Sequence, residues 1–236
     1  VYSFRSAHGP VDLAFTDRYG GVSAAPFDEL NLSVSGDDDE AAKTENHRLL
    51  LADFAPGARL ADLYQMHGDT VVEAVPGERP EADGIVTDRT DVVLLVRAAD
   101  CLPILFADPE AGVIGAAHAG RKGVAAGVAV ATVERMRALG ARDVTAWLGP
   151  YVCGGCYEVP EQMQADVAAV VPASVATTAW GTPSLDLGAG VRAQLEKRGV
   201  RVVDASRCTR ESPDLYSYRR DGDRAGRLAG VIRRRP

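Results

Sequence analysis

Apolar residues in this chain cluster in short runs. Val11–Thr16, Thr70–Val75, Gly84–Thr87, Val92–Val96, Ile104–Ala107, Val113–Ala117, Val144–Leu148 and Arg201–Asp204 are rich in Val and Ile and flanked by Gly, Pro or Asp. Runs of that length and composition predict β-strands. Helical spacing occurs in four segments. The first predicted helix spans roughly Asp39 to Ala52, with acidic Asp37–Glu40 at its positive end. The second runs from about Gly123 to Leu139 and stops at Gly140, and its Val124, Gly127, Val128 and Ala131 face is small enough to press onto a sheet. The third starts at Pro160 and reaches about Val170. The fourth runs from Asp186, an N-cap candidate, to Arg198 before Gly199. Several strands precede the second helix and alternation follows it. That order predicts an α+β fold with mixed, largely antiparallel sheets rather than a doubly wound parallel one. There is no repeat, low-complexity tract or linker, so residues 1–236 read as a single domain.

Composition narrows the function classes. With 46% hydrophobic and 25% charged residues the chain is ordinary globular material, neither disordered nor disulfide-dense. A net charge of −7 argues against a nucleic-acid partner, yet a local Arg cluster could still hold a small anion. The longest apolar candidate, Val124–Val133, falls short of the ~20 residues of a membrane span, so no membrane association is expected. The first residues show no basic-then-apolar pattern. Four cysteines are too few to staple this length, which points to reduced thiols and a cytoplasmic location. The expected state is a monomer or weak homo-oligomer.

The most informative stretch is Ala98–Gly123. Two apolar runs flank Asp108-Pro109-Glu110-Ala111-Gly112, strong turn chemistry that predicts a β-hairpin. Pairing Asp108 with Gly112 sets Cys101 and His118 opposite one another at the open end, within one residue. Opposed residues share a face with Cβ atoms about 4.5–5.5 Å apart. That spacing suits two ligands of one metal, or a thiol and its base. His67, in Gln65-Met66-His67-Gly68 before a predicted strand, is the third candidate. Two imidazoles and a thiolate make a three-ligand zinc site with a fourth position open for catalysis. On spacing alone this reading competes with a buried cysteine and two unrelated histidines. A different site is conceivable at Cys153-Gly154-Gly155-Cys156 with Cys208, although structural zinc knuckles usually pair two C-x-x-C motifs and only one is present.

Motifs in order along the chain resemble the YfiH-like family, often labelled laccase domain or polyphenol oxidase. They include Phe15–Ser23 (FTDRYGGVS), Gln65–Gly68 (QMHG), Ala82–Gly84 (ADG), Ala99–Ile104 (ADCLPI), His118–Gly123 (HAGRKG), Cys156–Val159 (CYEV) and Tyr216–Arg227 (YSYRRDGDRAGR). One departure stands out: Arg121-Lys122 occupies the place of the family's Trp-Arg. The resemblance implies an α/β sandwich and one zinc held by His67, Cys101 and His118. It also implies phosphorolysis of adenosine, inosine, guanosine and methylthioadenosine, with adenosine deamination as a side activity. Some relatives are described instead as editing factors for peptidoglycan precursors.

The residues discriminate among these readings. A four-copper oxidase needs about ten histidines, and the chain has four, so multicopper chemistry is excluded by counting; a single copper substituting for zinc is not. Deamination wants a metal and a proton-shuttling carboxylate, for which Asp100 and Asp83 are candidates. Phosphorolysis wants a cationic cradle, for which Arg18, Arg219, Arg220 and Lys122 are candidates. A cysteine hydrolase would use Cys101 as nucleophile and His118 as base, leaving His67 superfluous. The reading that absorbs most residues is a zinc enzyme acting on purine nucleoside and phosphate, with catalytic His67, Cys101, His118 and Asp100.

Overall fold

The strands that matter most bury both faces, and this dictates a layered arrangement. The computed structural model describes residues 1–236. In chain order the elements are β1 (Tyr2–His8), β2 (Val11–Thr16), α1 (Glu40–Phe54), β3 (Arg59–Ala61), β4 (Val71–Glu73), β5 (Gly84–Thr87), β6 (Val92–Ala98), β7 (Leu102–Asp108) and β8 (Val113–Ala119). They continue with α2 (Arg121–Ala126), α3 (Val128–Ala138), β9 (Thr145–Leu148), α4 (Glu161–Ala168), β10 (Val175–Thr177), β11 (Pro183–Leu185), α5 (Leu187–Glu196), β12 (Arg201–Asp204), α6 (Tyr218–Asp221) and β13 (Leu228–Arg234). One sheet has the order β1-β2-β13-β6-β3 and a second β12-β9-β7-β8-β5-β4, with β10-β11 a separate pair. Only β3/β6, β4/β5 and β9/β12 are parallel. The fold is α+β with mixed, largely antiparallel sheets, as the element order predicts.

Period-2 alternation sorts the side chains into layers. From β2, Val11, Leu13 and Phe15 join Leu94, Leu105, Ile114 and Trp147 in a core between the two sheets. Their neighbours Ala14, Val93 and Leu95 point the other way, onto Leu50 and Phe54 of α1. From β7, Ile104 and Phe106 meet Val128, Val133 and Met136 of α3 and Val191 and Leu195 of α5. Each hairpin strand is buried at every position, as a strand covered on both sides must be.

Two helix boundaries carry the cap chemistry the sequence suggests. Asp39 accepts from the Ala42 amide, and Asp186 from the Ala189 amide. The helix expected from Gly123 to Leu139 is two helices, because Gly127 adopts φ 91° and breaks the run. Strand β13 falls outside the predicted strand runs, since Gly230 and a basic tail interrupt its apolar pattern. A Cβ at Gly230 would lie 3.1 Å from the Phe15 ring, so the glycine admits close sheet packing.

The hairpin turn is fastened by Asp108. Its carboxylate accepts the Glu110, Ala111, Arg142 and Asp143 amides at 2.6–3.1 Å. Burial alone would raise this carboxyl, and the four donors hold it below its ordinary value. Asp108→Ala leaves four amides without an acceptor and is expected to destabilise the fold by about 2–4 kcal/mol in urea melts. The folded-state pKa is depressed, so this stabilisation is complete above the unfolded value. The gap between wild type and variant should therefore narrow as the pH falls below about 4.

Candidate active site

His67, Cys101 and His118 meet at one end of the six-stranded sheet. His67 precedes β4, Cys101 abuts the start of β7, and His118 is the penultimate residue of β8. Their ligating atoms all lie within 4.8 Å of one another. The two imidazole rings stand edge to face, with centroids 4.8 Å apart. The hairpin register differs from the expected one: His118 faces Pro103, which sets Cys101 two residues off direct opposition. A two-residue offset keeps the face, so the pair meets diagonally rather than across the ladder. Gly120 leaves the space they need, since a Cβ there would come 2.8 Å from His67 Cδ2 and 3.1 Å from Cys101 Sγ.

Asp83, immediately before β5, organises this cluster. Its Oδ1 faces His118 Nδ1 at 2.8 Å and accepts the His67 amide at 2.9 Å; its Oδ2 accepts the Met66 and Gly68 amides at 3.1 and 2.7 Å. Three successive amides gathered on one carboxylate form an anion nest. The nest requires His67 to adopt φ 62°, a conformation costly for a non-glycine residue. The bond to Nδ1 leaves His118 Nε2 free to face the thiol, the orientation a metal-ligating histidine takes when a carboxylate fixes its far nitrogen. Burial opposes charge on the Cys101 thiol, yet His118 and His67 beside it draw the thiol down to about 6. Burial likewise opposes charge on His118, and the thiolate with Asp83 lifts it to about 9. One cysteine sulfur and two imidazole nitrogens are donor types that suit a borderline-soft metal ion such as zinc or copper.

A cavity of about 680 Å³ opens over the triad. Five cationic side chains line it against one carboxylate, so the site is positive within a chain of net charge −7. Among the sequence candidates, Lys122 and Arg219 line this cavity and Arg18 and Arg220 do not. Arg18 is bound to Asp28 and lies over the Tyr216 ring. Arg220 clamps the Thr209, Ser212 and Leu215 carbonyls. Asp100 borders the cavity with both oxygens committed, to Thr209 Oγ1 at 2.6 Å and the Arg219 amide at 2.6 Å. Its φ is 86°, so it acts as a strut of the loop before Cys101. The cavity also takes Arg121, Arg227, Tyr157 and Tyr218, which the sequence does not single out as site residues; all four lie inside the motifs given above, and that is the signal the sequence offers.

Asp83→Asn would turn an amide NH₂ toward backbone donors and weaken the His118 contact. Its affinity for a divalent metal is expected to fall about 10–100-fold, measured by competition with a chromophoric chelator, with far-ultraviolet circular dichroism retained.

Residues 12–235 match the family model described as multi-copper polyphenol oxidoreductase laccase. A protein of Streptomyces coelicolor named purine nucleoside phosphorylase is 51% identical over 93% of this chain and 94% of its own. A Mycobacterium bovis protein of the same name is 47% identical over 92% of this chain and 89% of its own. Among solved structures, a Neisseria meningitidis protein of the DUF152 family superimposes with TM-score 0.89 at 32% identity, covering 99% of each chain. YlmD of Geobacillus stearothermophilus superimposes with TM-score 0.87 at 29% identity, covering 99% of this chain and 98% of that one. Sequence and fold agree from end to end, and the chain belongs to the laccase-like YfiH family.

Proposed function

We propose that this protein cleaves purine nucleosides by phosphorolysis, giving free base and ribose 1-phosphate, with zinc at His67, Cys101 and His118. Adenosine deamination is a side activity of the same pocket. The observation that carries this reading is the shared name of relatives up to 51% identical, matched over more than nine-tenths of the chain. The cavity chemistry supports it. Arg121 and Lys122 make no ion pair or side-chain hydrogen bond within the protein, so both are available to phosphate oxygens. Arg219 lies over the Tyr157 ring, Cζ 4.7 Å from its centroid, and donates one nitrogen to the Glu158 carbonyl. It keeps donors of its planar fork for an anion. Tyr218, 48% exposed at the rim, offers a face for a purine.

In the reaction a hydrogen phosphate oxygen bonds to C1′ and the bond from C1′ to the purine nitrogen breaks. The phosphate's proton passes, overall, to the departing base. Bound zinc would supply a Lewis acid beside the substrate. The protein's own side chains do the rest. Arg121, Lys122 and Arg219 bind and orient phosphate, and lower its charge repulsion with the developing base anion. Asp100 holds the Arg219 backbone, and Asp83 holds the His118 ring and the backbone amide of His67. In deamination no glycosidic bond is cut, so any proton relay must run through groups near the triad.

Adenosine incubated with the protein and phosphate is expected to yield adenine and ribose 1-phosphate by mass spectrometry, rising with phosphate, with inosine as a minor product. Arg121→Ala and Arg219→Ala should each lower phosphate-dependent turnover about ten- to a hundredfold, the loss of one charge-assisted contact of about 1.5–3 kcal/mol. Arg219→Lys should restore it only in part, for want of the fork. If no free base forms from any purine nucleoside, and activity on amide substrates survives chelation, Cys101 is a nucleophile and the cysteine-hydrolase reading replaces this one.

A further inference from the structure

A second cluster of soft ligands lies outside the triad. Cys153, Cys156, Cys208 and Glu211 place three sulfurs and a carboxylate oxygen within 4.8 Å of one another. The three cysteines are free thiols. The two halves of the cluster come from turns separated by some fifty residues of chain and stitched together by backbone. Cys156 and Tyr157 donate their amides to the Cys153 carbonyl, each at 2.9 Å, which curls the C-x-x-C so that both sulfurs face one point. Thr209 donates to the Tyr151 carbonyl at 3.0 Å, and Tyr151 pairs with Cys208 in an isolated parallel bridge. Ser212 donates to the Cys208 carbonyl at 3.1 Å, which turns Glu211 back toward the sulfurs. Gly155 completes the turn beside Cys153, where an added Cβ would sit 3.7 Å from its sulfur.

We propose that Cys153, Cys156, Cys208 and Glu211 form a second metal site, of structural type, that takes zinc. Four protein ligands close a tetrahedral shell and leave no position for substrate, the hallmark of a structural site. Three thiolates select a soft or borderline ion over magnesium or calcium. A disulfide between any two of these cysteines would strand the third sulfur and give the carboxylate no partner. A second C-x-x-C is not needed, because the tertiary bridge at Tyr151 brings Cys208 and Glu211 to the first. Cys156 is buried and Glu211 exposed, so an ion can enter from solvent on the carboxylate side.

The position gives the site a purpose. The C-x-x-C turn lies between Val152 and Tyr157, both of which line the active-site cavity. Cys208 precedes Thr209, whose hydroxyl holds Asp100, the residue before Cys101. An ion here braces the cavity wall that carries Tyr157 and, through Asp100, the Arg219 backbone.

The probe is cobalt(II), loaded into full-length His67→Ala/His118→Ala protein so that the triad cannot compete. About one cobalt per chain is expected, with the visible bands of a tetrahedral centre and sulfur-to-cobalt charge transfer of three thiolates. Replacing Cys153, Cys156 or Cys208 singly by Ser should remove about a third of that charge-transfer intensity. Glu211→Gln should keep it and weaken binding. Zinc should displace the cobalt and raise the melting temperature of the double variant. Absence of cobalt–thiolate absorption, or a disulfide among these cysteines in protein isolated without oxidant, would overturn the proposal. Zinc content of otherwise intact protein gives an independent arm. If both sites exist, Cys208→Ser and His118→Ala each lose one zinc. If Cys208→Ser keeps the wild-type content while His118→Ala loses one zinc, this site is wrong and the triad stands. The reverse pattern refutes the triad and leaves this site intact.

Discussion

The Asp83 carboxylate is the interaction on which the site depends. It takes four partners, three of them successive amides of the Met66–Gly68 turn and the fourth the His118 ring. By doing so it fixes the backbone of one candidate ligand and the ring of another. Burial would raise this carboxyl, and the imidazole with the backbone donors holds it below its ordinary value, so it stays ionised. An ionised, fully engaged carboxylate is a poor proton shuttle and a good strut. The role expected of Asp83 in proton transfer is thus better filled by positioning.

Charge is distributed to serve the cavity rather than the surface. The whole chain is acidic, yet the cavity wall is cationic. What separates a binding arginine from a structural one is whether its donors are already occupied. Arg97 is buried and tied to Asp62, the Leu32 carbonyl and His47. Arg220 is spent on carbonyls. The basic C-terminal residues are also engaged: Arg233 pairs with Asp12, and Arg235 donates to the Gly9 carbonyl. Arg121 and Lys122 remain unengaged at the cavity. The departure from the family's Trp-Arg therefore puts a second cation where an aromatic ring is usual.

The cavity wall beside Cys101 is a chain of dependencies. Thr209 holds Asp100, and Asp100 holds the Arg219 amide while adopting an unfavourable φ of 86°. Strain of this kind persists where the surroundings over-determine it. Cys208 immediately precedes Thr209 and Glu211 follows two residues after it, so whatever the three thiols and Glu211 bind bears on the same wall.

Much of the fold is legible in the sequence because strand and helix periods are local. The apolar runs of β2, β6, β7 and β8, the caps at Asp39 and Asp186, and the turn at Asp108 follow from side-chain chemistry within a few residues of each. The gathering of His67, Cys101 and His118 is half legible, since turn chemistry brings Cys101 near His118, while the resemblance names His67. Tertiary structure decided the remainder. No local signal shows that Arg18 and Arg220 are consumed by loops, that Arg121 faces the cavity, or that Cys208 returns to Cys153 and Cys156. Each depends on contacts between segments far apart in sequence. A residue's type states which bonds it can make; only the fold determines which partners have already taken them.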